Sequence, residues 1–302
     1  MNQQEILAQL TTLTTETINQ NSTNIDVVST LEKLTLINQE DQKVALAISL
    51  ILADIAGVVD LATETIKNGG RLIYFGAGTS GRLGILDAVE CPPTYGVDYN
   101  TVVGVIAGGD KAFIKAQEGA EDSEDFAIND LKNINLTAAD LVCGIAASGR
   151  TPYVIGGLKY AKNIGAQTVA ISCNSNAVIS NYANSKIEVS LGAEVVTGST
   201  RMKAGTAQKL ILNMISTTTM INLGKTYKNL MVDVKTSNDK LKARAKRIIM
   251  DATDVDFSTA EEYLDLANNH VKTAIVMILH NIDYPSALTM LEKAHGVIRK
   301  ID

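Results

Sequence analysis

The chain has 302 residues and a formal net charge of −6; 46% of its residues are hydrophobic, 4% are aromatic and tryptophan is absent. That length allows one large domain or two around an ample aliphatic core. The acidic balance, which no Lys/Arg-rich run overrides, argues against a nucleic-acid surface. No run of ~18 apolar residues offers a membrane span, and MNQQEILAQL lacks the basic-then-apolar pattern of a signal peptide. Cys91, Cys143 and Cys173 are odd in number and widely spaced, which fits a reducing cytoplasm better than a disulfide frame or a zinc site. His270, His280 and His295 all lie near the C-terminus, with no ligand cluster around them.

Residues 1 to ~25 are rich in Thr, Asn and Gln and read as a weak helix or a mobile arm. Ser29-Thr30-Leu31-Glu32 is a capping-box pattern that predicts a helix start. A longer helix is expected over 41–68, with Val44, Ile48, Ile55 and Val59 at helical spacing and Gly69-Gly70 ending it. These helices are too apolar to stand alone, so they should pack on the next unit or on a second subunit.

The stretch 71–96, RLIYFGAGTSGRLGILDAVECPPTYG, organises the rest of the chain. A short apolar run ends at Gly76-Ala77-Gly78-Thr79-Ser80-Gly81, and a helix comes next that Pro92-Pro93 should stop. A strand opening through a glycine turn into a helix start is an anion site, because its N–H groups are unpaired and the helix dipole favours negative charge. Position 82 is Arg rather than the lysine of a nucleotide-triphosphate loop. The phosphate expected here is therefore of another kind.

Apolar, β-branched runs then occur at 71–75, 101–106, 141–147, 167–172 and 186–191, with helical stretches at 79–90, 111–118, 124–134 and 152–164. Short apolar runs separated by helices predict a five-stranded parallel α/β sheet covered on both faces. Its economical strand order is the flavodoxin-like 2-1-3-4-5, which places the loops after strands one and three at the switch point where ligands bind. Those loops carry Gly78, Thr79 and Ser80, and Ser148, Gly149, Arg150 and Thr151. A third hydroxyl-rich turn, with Ser199 and Thr200, enters a helix expected from about 200 to 223. The three turns suggest one polar pocket; the plainer alternative is that these hydroxyls are helix caps.

Beyond 238 a basic helix over 240–252, a capping-box pattern at Ser258-Thr259-Ala260-Glu261 and helices over 271–282 and 286–294 predict a small helical subdomain. The expected division is thus an N-terminal helical segment (1–68), an α/β domain that carries the three polar turns (69–237) and a C-terminal helical subdomain (238–302).

Two acidic groups stand out. Glu90 sits at the end of the helix that the glycine turn begins, where a carboxylate opposes the dipole and is a poor choice for stability alone. Glu118 and Glu121 flank Gly119-Ala120 between two helices and could equally be a solvated turn, with Asp122 or Ser123 capping the second helix.

The runs GAGTSGRLGILDAVECPPTYG, IAGGDKAF, EGAEDS, GIAASGRTPY and GAEVVTGSTRMKAGTAQK closely resemble the N-acetylmuramic acid 6-phosphate etherases, which are sugar-isomerase-type (SIS) proteins. The resemblance covers nearly the whole chain. It implies cleavage of the D-lactyl ether of N-acetylmuramic acid 6-phosphate without a cofactor, with Glu90 and Glu121 as the active-site acids. It also implies that the segments holding Ser80, Ser148 and Thr151 bind the phosphate. Glu90 would lie ~15 Å from Ser80 along an unbroken helix, so either the chain bends around Gly84 or Glu90 serves the neighbouring subunit; the second is expected, in a homodimer with its sites near the interface. Related regulators bind sugar phosphates in the same kind of pocket, and an aldose–ketose isomerase is a third possibility. Neither would release lactate.

Overall fold

In a computed structural model of the chain, residues 13–234 and 238–301 are described. Contacts divide them into two compact units: one of residues up to 89 together with 100–215, the other of residues 90–99 with 216 onward.

In the first unit, α1 (Thr30–Ser49) opens on the expected capping box: Ser29 Oγ accepts from the Glu32 N–H, and the Glu32 carboxylate accepts from the Ser29 N–H. The single helix expected over 41–68 is instead two. α1 ends at Ser49, α2 (Leu52–Lys67) follows, and the two are bent by 64°. Apolar spacing continues through the break without Gly or Pro, so nothing in the pattern announced it. Val44 and Ile48 of α1 are buried, whereas Leu31, Leu34 and Leu46 are 74%, 58% and 71% exposed.

The central sheet comprises β1 (Leu72–Gly76), β2 (Val102–Ile106), β3 (Leu141–Ala146), β4 (Gln167–Ser172) and β5 (Ser185–Glu188). All its pairs are parallel and its order is β2-β1-β3-β4-β5, as expected. Every residue of β1 and β3 is buried, which explains why these strands read as continuous apolar runs rather than alternating ones. The register aligns Gly76 with Ile106 on one side and with Ile145 on the other. The loops after β1, β2 and β3 therefore leave the same edge together.

The connecting helices are α3 (Gly78–Tyr95), α4 (Asp110–Ile114), α5 (Glu124–Asn133) and α6 (Pro152–Asn163); α7 (Lys203–Asn222) follows β5. Pro92-Pro93 does not stop α3. The prolines lie inside it, and Gly96 N–H donates to Pro92 O at 3.0 Å, so the chain makes one further turn from Pro92 much as it would from a first helical turn, where proline is tolerated. Ser123, one of the two candidate caps, does cap α5 by accepting the Phe126 N–H. A core of Ile73, Phe75, Val142, Tyr153, Val154 and Leu158 joins β1 and β3 to α6.

The second unit contains a two-stranded ribbon, β6 (Thr226–Tyr227) and β7 (Leu230–Met231), and α8 (Asp239–Thr253), α9 (Phe257–Leu266), α10 (Val271–His280) and α11 (Tyr284–Lys293). The capping box expected at Ser258 is displaced: Asp256 accepts the Thr259 N–H and caps α9, placing Ser258 inside the helix. Ile249, Leu264, Ile275, Val276 and Ala287 form this unit's own core. Among the described residues no single helix is long and apolar enough to cross a membrane.

Candidate active site

The first turn departs from β1 at Gly76 and enters α3 through Gly78, whose φ of +54° suits glycine. The two glycines bracketing it permit a close approach. A Cβ on Gly81 would lie 2.5 Å from Gly76 O, and one on Gly76 would lie 2.7 Å from Ile145 O. The start of α3 is thereby pressed onto the sheet edge, with its first N–H groups at the mouth of the turn.

Ser80 is buried and donates its hydroxyl to Gln208 Oε1 of α7 at 3.0 Å. The Thr79 methyl lies 3.4 Å from where a Cβ on Gly205 would sit, and Gly205 N–H donates to Thr200 O at 2.9 Å. The first and third hydroxyl turns therefore meet at the beginning of α7. After β3, Ser148 Oγ accepts the Arg150 N–H at 3.3 Å, and Gly149 (φ +71°) packs where a Cβ would come within 2.5 Å of the Ala177 Cβ. Ala147 O accepts the Cys173 N–H, and Cys173 Sγ lies 3.6 Å from Ala204 O, which links this second turn to the start of α7 as well. Ser148, Arg150, Thr151, Ser199 and Thr200 are all half-buried beside the glycines of their turns. Thr151 and Ser148 precede α6, yet no side chain caps that helix, so the reading of these hydroxyls as caps fails there.

A cavity of about 220 Å³ opens beside the first turn and is lined by Gly78, Arg82, Gln117, Glu118, Gly119 and Glu121, among others. Glu121, on a short 3-10 turn (Ala120–Asp122), thus faces the same space as the phosphate-type loop. Arg82 organises the wall between them: its guanidinium donates to Ala112 O at 2.7 Å and to Phe113 O at 3.0 Å. The volume is below the ~300–1,000 Å³ of a complete small-molecule site, so this cavity alone has room for only part of such a ligand. Glu90 is not among its lining residues; it is exposed, and α3 runs unbroken from the turn to beyond it, about 15 Å further along the axis than Ser80.

A buried ionic network that the sequence did not announce holds the third turn. Glu194, 1% exposed, accepts the N–H groups of Lys203 at 3.0 Å and Ala204 at 2.9 Å and so caps α7 from nine residues upstream. Lys203, equally buried, donates to Glu40 of α1 at 2.6 Å and to Leu191 O at 3.0 Å. Burial pushes the Glu194 carboxyl above its usual range despite its two backbone donors. Burial also opposes ionisation of Glu40, but hydrogen bonds from Lys203, Lys43 and Asn21 outweigh it and hold that carboxyl at about 2. Glu194 stands outside the capping-box spacing, and Gln208 sits within an ordinary helical stretch; both lie in the run GAEVVTGSTRMKAGTAQK, but their local spacing does not name their partners.

The described part of the N-terminal arm is tied to the same region, which corrects the expectation of a weak helix or mobile arm there; residues 1–12 lie outside the described residues. Thr14 donates through its N–H and hydroxyl to Asn174 Oδ1, Asn19 donates to Ala193 O, and Ser22 donates to Val195 O at 2.8 Å. Among the described residues no group of three His, Cys, Asp or Glu is placed to hold a metal ion.

Known proteins are similar to this chain in sequence and in fold. The family model of the glucokinase regulatory protein N-terminal SIS domain matches residues 54–162. A solved protein of Escherichia coli CFT073 is similar in fold, with a TM-score of 0.50 and 13% identity, covering 67% of this chain and 97% of that one. The N-acetylmuramic acid 6-phosphate etherase of Geobacillus sp. (strain WCH70) is 60% identical over 288 residues, 95% of this chain and 98% of the relative. That of Francisella philomiragia subsp. philomiragia is 56% identical over 293 residues, 97% of this chain and 100% of the relative. With identity of this degree spanning nearly the whole of each chain, the chain belongs to the N-acetylmuramic acid 6-phosphate etherase family.

Proposed function

We propose that this chain is a carbon–oxygen lyase that cleaves the D-lactyl ether at C3 of N-acetylmuramic acid 6-phosphate, giving N-acetylglucosamine 6-phosphate and D-lactate. The observation that carries the mechanism is the shared lining of one cavity by Gly78 of the first turn and by Glu121. The turns holding Gly78, Thr79 and Ser80, Ser148 to Thr151, and Ser199 and Thr200 grip the 6-phosphate, and the sugar extends towards the acids.

An alkoxide is a poor leaving group, so direct hydrolysis of the ether is slow. Opening the ring exposes the C1 aldehyde, which acidifies the C2 proton. Glu121 removes that proton, the electron pair forms the C2–C3 double bond, and the C3–O bond breaks as Glu90 protonates the departing lactate oxygen. Water then adds at C3 of the unsaturated aldehyde, with the carboxylates exchanging proton roles as C2 is reprotonated. Each such group contributes typically ~10²–10⁴-fold.

Glu90 serves the site of the partner subunit in a homodimer, a reading supported by its place far along α3 and by the exposed leucines of α1. The enzyme acts in the cytoplasm, in recycling or catabolism of cell-wall amino sugar. Lactate release from the muramic acid phosphate tests the reaction, and none is expected if the chain only senses or isomerises a sugar phosphate. Exchange of the C2 hydrogen with solvent tests the division of labour: it should be lost in Glu121→Ala and retained in Glu90→Ala. Equal, near-wild-type exchange in both variants overturns it.

A further inference from the structure

The second unit has a cavity of about 730 Å³ that the etherase reaction does not use. Two ammonium groups in its lining converge on one carboxylate oxygen: Lys225 Nζ lies 2.9 Å and Lys272 Nζ 2.8 Å from Asp233 Oδ2. Lys272 is 7% exposed, so this charge has been taken out of water. One carboxylate cannot neutralise two ammonium groups. The lining's other acid, Glu292, is exposed, where solvent and salt screen it. Burial pulls the Lys272 ammonium below its usual range, with the Lys225 charge adding to this, against the opposing attraction of Asp233.

The same wall includes the first turn of α10. His270 precedes the helix in extended backbone without a side-chain cap, and Val271, Lys272 and Thr273 are buried. First-turn N–H groups have no intrahelical acceptors, so they add partial positive charge beside the two lysines. Gly296 (φ +77°) also lines the cavity; a Cβ there would stand 3.7 Å from Lys272 Nζ, in the space next to the ammonium. Cavity, excess positive charge and helix start coincide.

We propose that this cavity is a second anion site, distinct from the sugar-phosphate turns, that takes the phosphate monoester group of a small metabolite. Lys225 and Lys272 act as point charges on the phosphate oxygens, and Asp233 holds both lysines in place when the site is empty.

The test is titration of the full-length, ¹⁵N-labelled chain with inorganic phosphate at constant ionic strength, following the amide resonances of Val271, Lys272 and Thr273. A saturable shift is expected in the wild type and should survive Ser148→Ala, which damages the other phosphate site. Lys225→Gln should weaken it about tenfold, and Asp233→Asn, which frees both ammonium groups, should tighten it. A purely structural ion pair predicts no saturable shift. The proposal is overturned by that absence, by an affinity unchanged in Lys225→Gln, by an affinity lowered in Asp233→Asn, or by a shift that vanishes with Ser148→Ala. Because lactate release is not the readout, the etherase reading can fail or hold without affecting this result.

Discussion

Ser80 gives its hydroxyl proton to Gln208 Oε1 at 3.0 Å, while the Nε2 of the same amide, in a side chain 1% exposed, has no partner among the described residues. A buried amide donor left unpaired costs about 1–3 kcal/mol. At the turn proposed to hold the 6-phosphate, a phosphate oxygen would relieve that cost, directly or through Ser80 after the amide reverses. Gln208→Leu should therefore lower kcat/KM for lactate release by about tenfold or more, chiefly through KM. Gln208→Glu should lower it further, since a carboxylate beside the phosphate repels it. Steady-state kinetics with a parallel thermal melt check both; an unchanged KM in Gln208→Leu would contradict the assignment.

Placing Glu90 in the partner's site makes a sharp forecast for mixed dimers. Neither Glu90→Ala nor Glu121→Ala should be active alone. Unfolded together and refolded as a mixture, half the dimers carry one variant of each kind, and one of their two sites retains both acids. About a quarter of wild-type activity should return. If Glu90 served its own chain, every site would lack one acid and the mixture would stay inactive.

Removing Lys203 leaves the buried Glu40 carboxylate with the half-exposed Lys43 and with Asn21 as its remaining donors. Lys203→Met should therefore cost up to about 3 kcal/mol in urea unfolding, the low end for a broken buried pair. Replacing both residues with apolar ones of similar size should recover much of that loss, because the desolvation penalty disappears with the charges. A double variant no more stable than Lys203→Met would mean that the pair is not the cause.

The same pair sets an acid limit. Glu40 titrates at about 2 in the fold against an ordinary 4.5. A carboxyl with a depressed folded value contributes stability above the unfolded value, and this is lost as pH falls through the folded one. The contribution, on the order of 3 kcal/mol, should fade between pH 4.5 and 2. Denaturation curves across that window should be steeper in pH for the wild type than for Glu40→Gln; equal slopes would refute the role.

The sheet was legible because its physics is periodic and local: buried runs such as Leu72–Gly76 and Leu141–Ala146 between helical stretches admit few orders, and the turn at Gly76–Gly81 has a composition that only close backbone approach explains. The break after Ser49 and the passage of α3 through Pro92-Pro93 were not legible. In both places the chain satisfies its backbone in a way that leaves the apolar spacing intact. At the site, Glu121 and the hydroxyl turns carried motifs. Gln208, Glu194 and Lys203 lie in the run GAEVVTGSTRMKAGTAQK, yet their roles were not legible, because each acts through a partner that local spacing does not reveal.

That last property bears on how the chain is made. Glu40 meets Lys203 at a sequence separation of 163, and Thr14 meets Asn174 at one of 160. Contacts so distant form late and slow folding. On the ribosome the first helices must therefore wait for the buried lysine that Glu40 meets until about two-thirds of the polypeptide has been synthesised. A nascent fragment ending before Lys203 should depend on chaperones, although the N-terminal arm, whose partners Asn174, Ala193 and Val195 emerge earlier, can already be fastened in it.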